Sequence, residues 1–481
     1  MHSLRQRLIV SVACVVFASC GSSSTEDGDT GGLSKPGADG GIDAGGDGGV
    51  DVGGDGGVDV GVDVGGDGGS DGQEGSEVGA DGGDSGEAGP VEEPIPPDAI
   101  HLNPATGDVS NPGTEAAPWP GLEDSIAAGL LAGVPDGKTL VLHEGNHGKA
   151  VWEGEHATAV ILRAAPGQRP RLGRLEIKKG RGWHLGGLTI SPAFAASPYE
   201  GNIVMLGESG ASSDIVLKNS VVYTVDDAQA WTPDDWIKAN SGVLLGRHGT
   251  NLSVRGTHVY NVRFGVTIAS FDSSVEGNLI EDFSADGIRV TRDGGVVNDN
   301  VIKNVRVSDA DGDSNHDDAI QCFLFNKGTG TVRNVTLRGN LILNYEGSPA
   351  FPNQMQGIGF FDGPLVDFVI EDNVVFVDHY HGVSLYDAQG ARIVNNVAYT
   401  RWGDGKVKPW VMLGEKQGLA SGNYVHGNRA HSFQFKADPL VDAADNEIID
   451  PAVAEQRFSQ RLSEIEAKWG ALVDGAPRIH P

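Results

Sequence analysis

The chain has 481 residues, 72 of them glycine, and a formal net charge of −31. About 19 of its 66 acidic residues fall between positions 21 and 94, where Lys35 is the only cation, so the remainder is only mildly acidic. That balance excludes a nucleic-acid partner, which needs a basic surface, but not an anionic polysaccharide held in a local cationic groove.

Residues 1–20 read as a signal peptide. Arg5 and Arg7 precede an apolar run, Leu8 to Phe17, that is too short to span a bilayer. The Phe-Ala-Ser-Cys-Gly around Cys20 resembles a bacterial lipobox. The resemblance implies cleavage before Cys20, lipidation of its sulfur, and anchoring at the outer membrane or cell surface. The chain then meets the membrane through its lipid alone. With Cys14 removed and Cys20 acylated, Cys322 has no partner for an intrachain disulfide. Residues 21–94 are Gly/Asp-rich, cannot bury a core, and are expected to form a disordered tether. Its end-to-end distance would be on the order of 50 Å.

From residue 95 a repeat takes over. Gly265-Val266-Thr267-Ile268 leads to Val275-x-x-Asn278-x-Ile280, and Gly287-Ile288-Arg289-Val290 leads to Val297-x-x-Asn300-x-Ile302. A period of about 22 residues is that of a solenoid. The Asn position recurs as Asn219, Thr257, Asn278, Asn300, Asn340, Asn373, Asn396, Asn423 and Asn446. A stack of like turns explains it, since a buried amide can bridge to the turns above and below. Leu122, Ile126 and Leu130 recur at intervals of four, as on one face of a helix. Phe458, Leu462, Ile465, Trp469 and Leu472 predict a capping helix, followed by a tail, within 451–481.

The opening AIHLNPATGDVSNPGTEAAPWPGLEDSIAAGLLAG, with these repeats, resembles the pectate-lyase-like superfamily over about residues 96–450. The resemblance implies an all-β fold over 95–450: a single-stranded right-handed parallel β-helix of nine to ten coils, capped at both ends by short amphipathic helices. It also implies a substrate groove along one sheet, and a monomer acting on an acidic polysaccharide.

Strand alternation sends the middle residue of each Gly-apolar-x-apolar strand outward: Leu244, Thr267, Arg289, Gln321, Gly359, Ser384, Met412 and Gln434. The residue before each glycine-like position forms a second column: Ser241, Phe264, Asp286, Asp318, Gln356, His381, Pro409 and His431. Asp286, Arg289, Asp318 and Gln321 should therefore share one patch on two coils, with His316 and Asp317 on the loop beside it. The loops at 226–240, 308–318, 345–355 and 400–409 are long, as binding loops are. Trp236 and Trp402, with Trp231 and Trp410, lie in or beside them as candidate sugar-stacking residues.

Three chemistries fit. β-Elimination or C5 epimerisation of a uronic acid polymer needs the substrate carboxylate neutralised and a base for the α-proton. Arg289 is the candidate neutraliser, and His316, His381 or Lys327 the base. Asp309, Asp311 and Asp313 alternate as oxygen ligands do, making calcium a candidate cofactor, although Ser314 and Ile320 depart from an EF-hand. Alternatively, SADGI (284–288), HDDAI (316–320) and YHGVSL (380–385) resemble, in order, three polygalacturonase motifs. That resemblance implies hydrolysis by Asp286, Asp317 and Asp318 with His381. An additional coil at Gln356 separates His381 from Asp318, and the family's Arg-Ile-Lys appears only as Arg392-Ile393-Val394. The third reading is a glycan-binding or surface structural protein without catalysis. Elimination is the expected reaction.

Overall fold

The computed structural model describes residues 94–306, 317–322, 331–347, 355–401, 407–435 and 441–472. Among the described residues every strand pair is parallel, and the strands stack into three faces. One coil runs Val266–Ile268, Ser274–Glu276, Leu279–Phe283; the next runs Ile288–Val290, Val296–Asn298, Val301–Val305. The fold is a right-handed parallel β-helix, as expected. Its third face has eleven strands among the described residues, more than the nine or ten coils expected. The surplus lies towards the amino end, where Lys149–Ala164 and Arg174–Gly186 form long strands without the Gly-apolar-x-apolar spacing.

Period-2 alternation builds the core. Val266, Ile268, Ile288 and Val290 are buried while Thr267 and Arg289 reach the outer surface. The glycine opening each strand is there for want of space. A Cβ on Gly265 would strike the Gly287 carbonyl and Ile280, and one on Gly287 would strike the Ala319 carbonyl and Ile302.

At the turn into the third face, buried amides form a continuous ladder. Asn300 Nδ2 donates to Val275 O at 2.8 Å and to Asn340 Oδ1 at 3.0 Å, and Asn300 Oδ1 accepts from Asn278 N and Nδ2 at 3.0 and 2.9 Å. The ladder continues through Asn373, Asn396, Asn428 and Asn446. Two expected members are corrected. Asn423 instead caps the preceding turn, accepting from Ala391 N, and Asn428 holds the ladder position. Asn219 is the left-handed residue (φ 50°) before Ser220, and Ser220 takes its place. The residue before each ladder position has positive φ, as at Gly277, Asp299, Gly339 and Asp372. Gly, Asn and Asp reach that region at least cost, and the sequence supplies only these there.

The carboxyl-terminal helix is the largest departure. α3 (Pro451–Leu472) is neither short nor an end cap: it lies along the outside of the third face. Phe458, Leu462, Ile465 and Trp469 pack on Leu279, Val301, Leu341, Leu343, Val374, Phe376 and Val397. Those strands are apolar on both faces, and the helix covers the outer one. At the amino end, α1 (Leu122–Ala127) stops before Gly129, which has φ 74°. A 3-10 turn follows, burying Leu131 where Leu130 was expected.

Candidate active site

The two predicted columns exist in register. Thr267 pairs with Arg289, Arg289 with Gln321, Gln321 with Gly359, Gly359 with Ser384, and Ser384 with Met412. Asp318 pairs with Gln356 in the leading column. One step differs. A bulge between His381 and Val383 sets His381 opposite Trp410 instead of Pro409, because Gly382 is one residue too many for its neighbour strand.

Within a strand the leading residue turns towards the outward residue three later. Arg289 Nε donates to Asp286 Oδ2 at 2.6 Å, Gln321 Nε2 donates to Asp318 Oδ2 at 3.1 Å, and His381 Nδ1 lies 2.8 Å from Ser384 Oγ. The strand between the last two, Gln356–Phe360, has no such bridge, because position 359 is glycine. Gln356 Oε1 is buried without a hydrogen-bond partner among the described residues, and so is Asp318 Oδ1. Asp318 Oδ1 and the Phe361 ring occupy the space a Gly359 side chain would fill, since a Cβ there would collide with both. The Asp318 carboxyl thus reaches over the next coil into a notch roofed by Phe361.

Asp286 and Asp318 are directly linked, the Asp318 backbone N–H donating to Asp286 Oδ1 at 3.1 Å. Burial raises both acids above the ordinary carboxylate range. For Asp286, Arg289 and the Asp318 N–H oppose that rise. Asp318 is pushed up much further, by burial first and by the Asp286 charge next, with Asp317 adding repulsion. Of the two, Asp318 has the more strongly raised affinity for a proton. The Arg289 guanidinium also lies 3.8 Å over the Phe264 ring, with Arg263 5.4 Å from the same ring.

His381 is two strands from Asp318, about 10 Å by strand spacing, so it does not touch the acid pair. It sits among Phe361, His379 and Trp410, with ring centroids at 4.9, 5.2 and 5.2 Å. Trp236 is corrected as a groove residue. It is buried edge-to-face on Trp231 within the 226–240 loop, where α2 (Pro233–Ile237) starts with a Thr232–Asp235 capping box. Its stacking face is spent on packing. His316, Lys327, Trp402, Asp309, Asp311, Asp313 and Cys20 lie outside the described residues. Among the described residues no group of three or more His, Cys, Asp or Glu is arranged to hold a metal.

Two groups escaped sequence reasoning. Phe361 directly follows a predicted strand, and only the glycine at 359 hinted that something folds back over it. Asp378, on the turn into the His381–Tyr386 strand, is raised to about 6 by burial; it accepts from Met355 N and Asn344 Nδ2. No repeat position marks it.

Residues 241–405 match the family described as right handed beta helix region. No curated protein matches the sequence. Among solved structures, the mannuronan C-5 epimerase AlgE6 A-module of Azotobacter vinelandii is 13% identical, with 69% of this chain and 94% of that one covered, at a TM-score of 0.45. Pectate lyase Pel9A is 13% identical over 73% of this chain and 79% of its own, at 0.36. The GH136 lacto-N-biosidase of Eubacterium ramulus is 13% identical over 73% and 67%, at 0.45.

Proposed function

We propose that this right-handed parallel β-helix protein cleaves glycosidic bonds in an acidic polysaccharide by hydrolysis, with Asp318 as general acid and Asp286 as its ionised partner. One observation carries the reading: a buried carboxyl with an oxygen unpartnered among the described residues lies beside a second carboxyl held by an arginine, and burial with its neighbour's charge raises its affinity for a proton. Two carboxyl groups whose surroundings push their proton affinities apart divide acid and base roles between them. Asp318 gives its proton to the glycosidic oxygen as the C–O bond breaks. Water adds to the anomeric carbon and its proton passes to Asp286. Transfer of that proton back to Asp318 resets the pair.

The arrangement moves weight from elimination to hydrolysis. Arg289, the expected neutraliser of a substrate carboxylate, is 2.6 Å from Asp286 and stacked on Phe264. Elimination or epimerisation keeps one point in its favour: Arg263, 5.4 Å from the same ring, is a second cation beside Phe264. Incubation with a panel of uronic acid polymers separates the readings. Hydrolysis releases reducing ends without the ultraviolet absorbance of unsaturated products. Appearance of that absorbance assigns elimination instead, and absence of both signals leaves an epimerase or a binding protein.

Phe361 tunes the acid and covers it until substrate displaces the ring. Phe361→Ala opens the notch to water and weakens the desolvation that holds the proton. The alkaline limb of the kcat/KM profile should therefore move to lower pH. An unmoved limb would separate Phe361 from the acid.

The Gly/Asp-rich segment and the lipobox-like Cys20 support a lipid-anchored position at the cell surface. Cys20→Ser should shift the protein from the membrane to the soluble fraction. Retention of the variant in washed membranes would overturn the lipid anchor. No helix among the described residues is long and apolar enough to cross a membrane.

A further inference from the structure

We propose that Tyr380, supported by Trp410, is a sugar-stacking platform two coils from Asp318, and that it gives the groove a preference for long acidic oligosaccharides. The proposal rests on the groove being a polysaccharide site but not on the hydrolytic step. Of the five large apolar side chains exposed among the described residues, Tyr380 alone immediately precedes a strand of the groove sheet, and it is 44% exposed. Aromatic rings nearby such as Phe376 and Phe360 are fully buried, whereas the Tyr380 ring is open to solvent beside a row of polar groups.

The ring is held ready. It stacks on Trp410 with centroids 5.5 Å apart and planes at 28°. Trp410 is fixed in turn, its Nε1 donating to Ser384 Oγ at 3.0 Å, and Ser384 is fully buried in the outward column. The Tyr380 carbonyl accepts from Trp410 N at 2.8 Å and from Gly382 N at 2.9 Å, which ties the backbone of both rings together. A ring already immobilised loses little entropy on binding, which is what a stacking platform needs.

The spacing suits a polymer. The His381–Tyr386 strand is two strands from Asp318–Cys322, and Trp410–Gly414 is three. At about 5 Å per strand the platform lies about 10–15 Å along the groove from the acid. A pyranose chain advances by roughly one strand spacing per sugar. The sugar cleaved at Asp318 and the one held at Tyr380 are then two or three units apart. Lys408, exposed two residues before Trp410, adds a cation on the same rim for a uronate carboxylate.

Binding tests this without turnover. The full-length chain carrying Asp318→Asn is titrated calorimetrically with size-graded oligogalacturonides, oligomannuronates and neutral xylo-oligosaccharides. Affinity for an acidic series should rise with chain length until the sugar chain reaches the platform. Adding Tyr380→Ala should weaken the longest oligomers on the order of tenfold and erase the gain from lengthening. Tyr380→Trp should keep it. Long oligomers bound as tightly by the Tyr380→Ala protein as by its parent would overturn the proposal. So would an equal loss for short and long oligomers that Tyr380→Trp does not restore, or binding to no series at all. Chain-length-dependent binding by a wild-type protein that releases no reducing ends would leave the platform standing and remove only the hydrolytic reading.

Discussion

Asp318→Asn is expected to lower the rate of glycosidic cleavage by about 10²–10⁴-fold, the range of general acid catalysis, without lowering the melting temperature at neutral pH. The substitution keeps the shape and leaves an acceptor for Gln321 Nε2, which now meets Asp318 Oδ2 at 3.1 Å. It removes the ionisable proton. The folded-state affinity of Asp318 for that proton is raised by burial and by Asp286. Between the unfolded carboxylate range and the raised folded value, the native state binds more protons than the unfolded chain. Wild-type stability therefore falls as pH rises through that window, and the loss is complete above it. Asn has no such dependence, so the variant should melt at or above the wild-type temperature at pH 8, and its melting should vary less with pH. Thermal melts at pH 5 and pH 8, run beside the cleavage assay, decide the matter. Retained activity would remove Asp318 from the chemistry. Lost activity with a large drop in melting temperature at both pH values would make it a packing residue.

Asn300→Leu is expected to cost about 3 kcal/mol, since it leaves buried backbone groups unpaired. Asn300 is fully buried and serves both neighbouring turns, accepting from Asn278 N and donating to Val275 O. Leucine is of comparable size, so the loss is mainly of hydrogen bonds. The damage should be local first, because each coil of a solenoid touches chiefly its neighbours. Amide exchange at Asn278, whose N–H loses its acceptor, should accelerate together with the fall in the denaturation midpoint. An unchanged midpoint with Asn278 still protected would mean that the ladder follows the stack without holding it together.

The candidate site was half legible for the same reason that the fold was. In a parallel stack every coil presents the same position to the same column, so period-2 alternation and a constant coil register are enough to order the columns. Thr267, Arg289, Gln321, Gly359 and Ser384 fall in one row by counting alone, and Asp286 and Asp318 fall on adjacent coils. A six-residue template is short enough to fit twice within one coil, and so Asn423 stood in for Asn428.

What counting along a strand does not supply is the direction a side chain takes once its neighbours are in place. Arg289 turns back to Asp286 because that carboxylate is buried within reach. Asp318 leans over Gly359 because the next coil leaves room there, and Phe361 folds over both because its own strand has ended. The stripe on α3 showed that the helix buries one face; the doubly apolar third sheet decided that it lies along the flank and not across the end. Trp236 was spent on its own loop for a comparable reason, packed edge-to-face on Trp231. The sequence by itself determined the coil, its columns and the acid pair, since these follow from a one-dimensional period. The tertiary structure alone decided which acid has its proton affinity raised further, because that depends on how much water the packing of neighbouring coils excludes from each carboxyl.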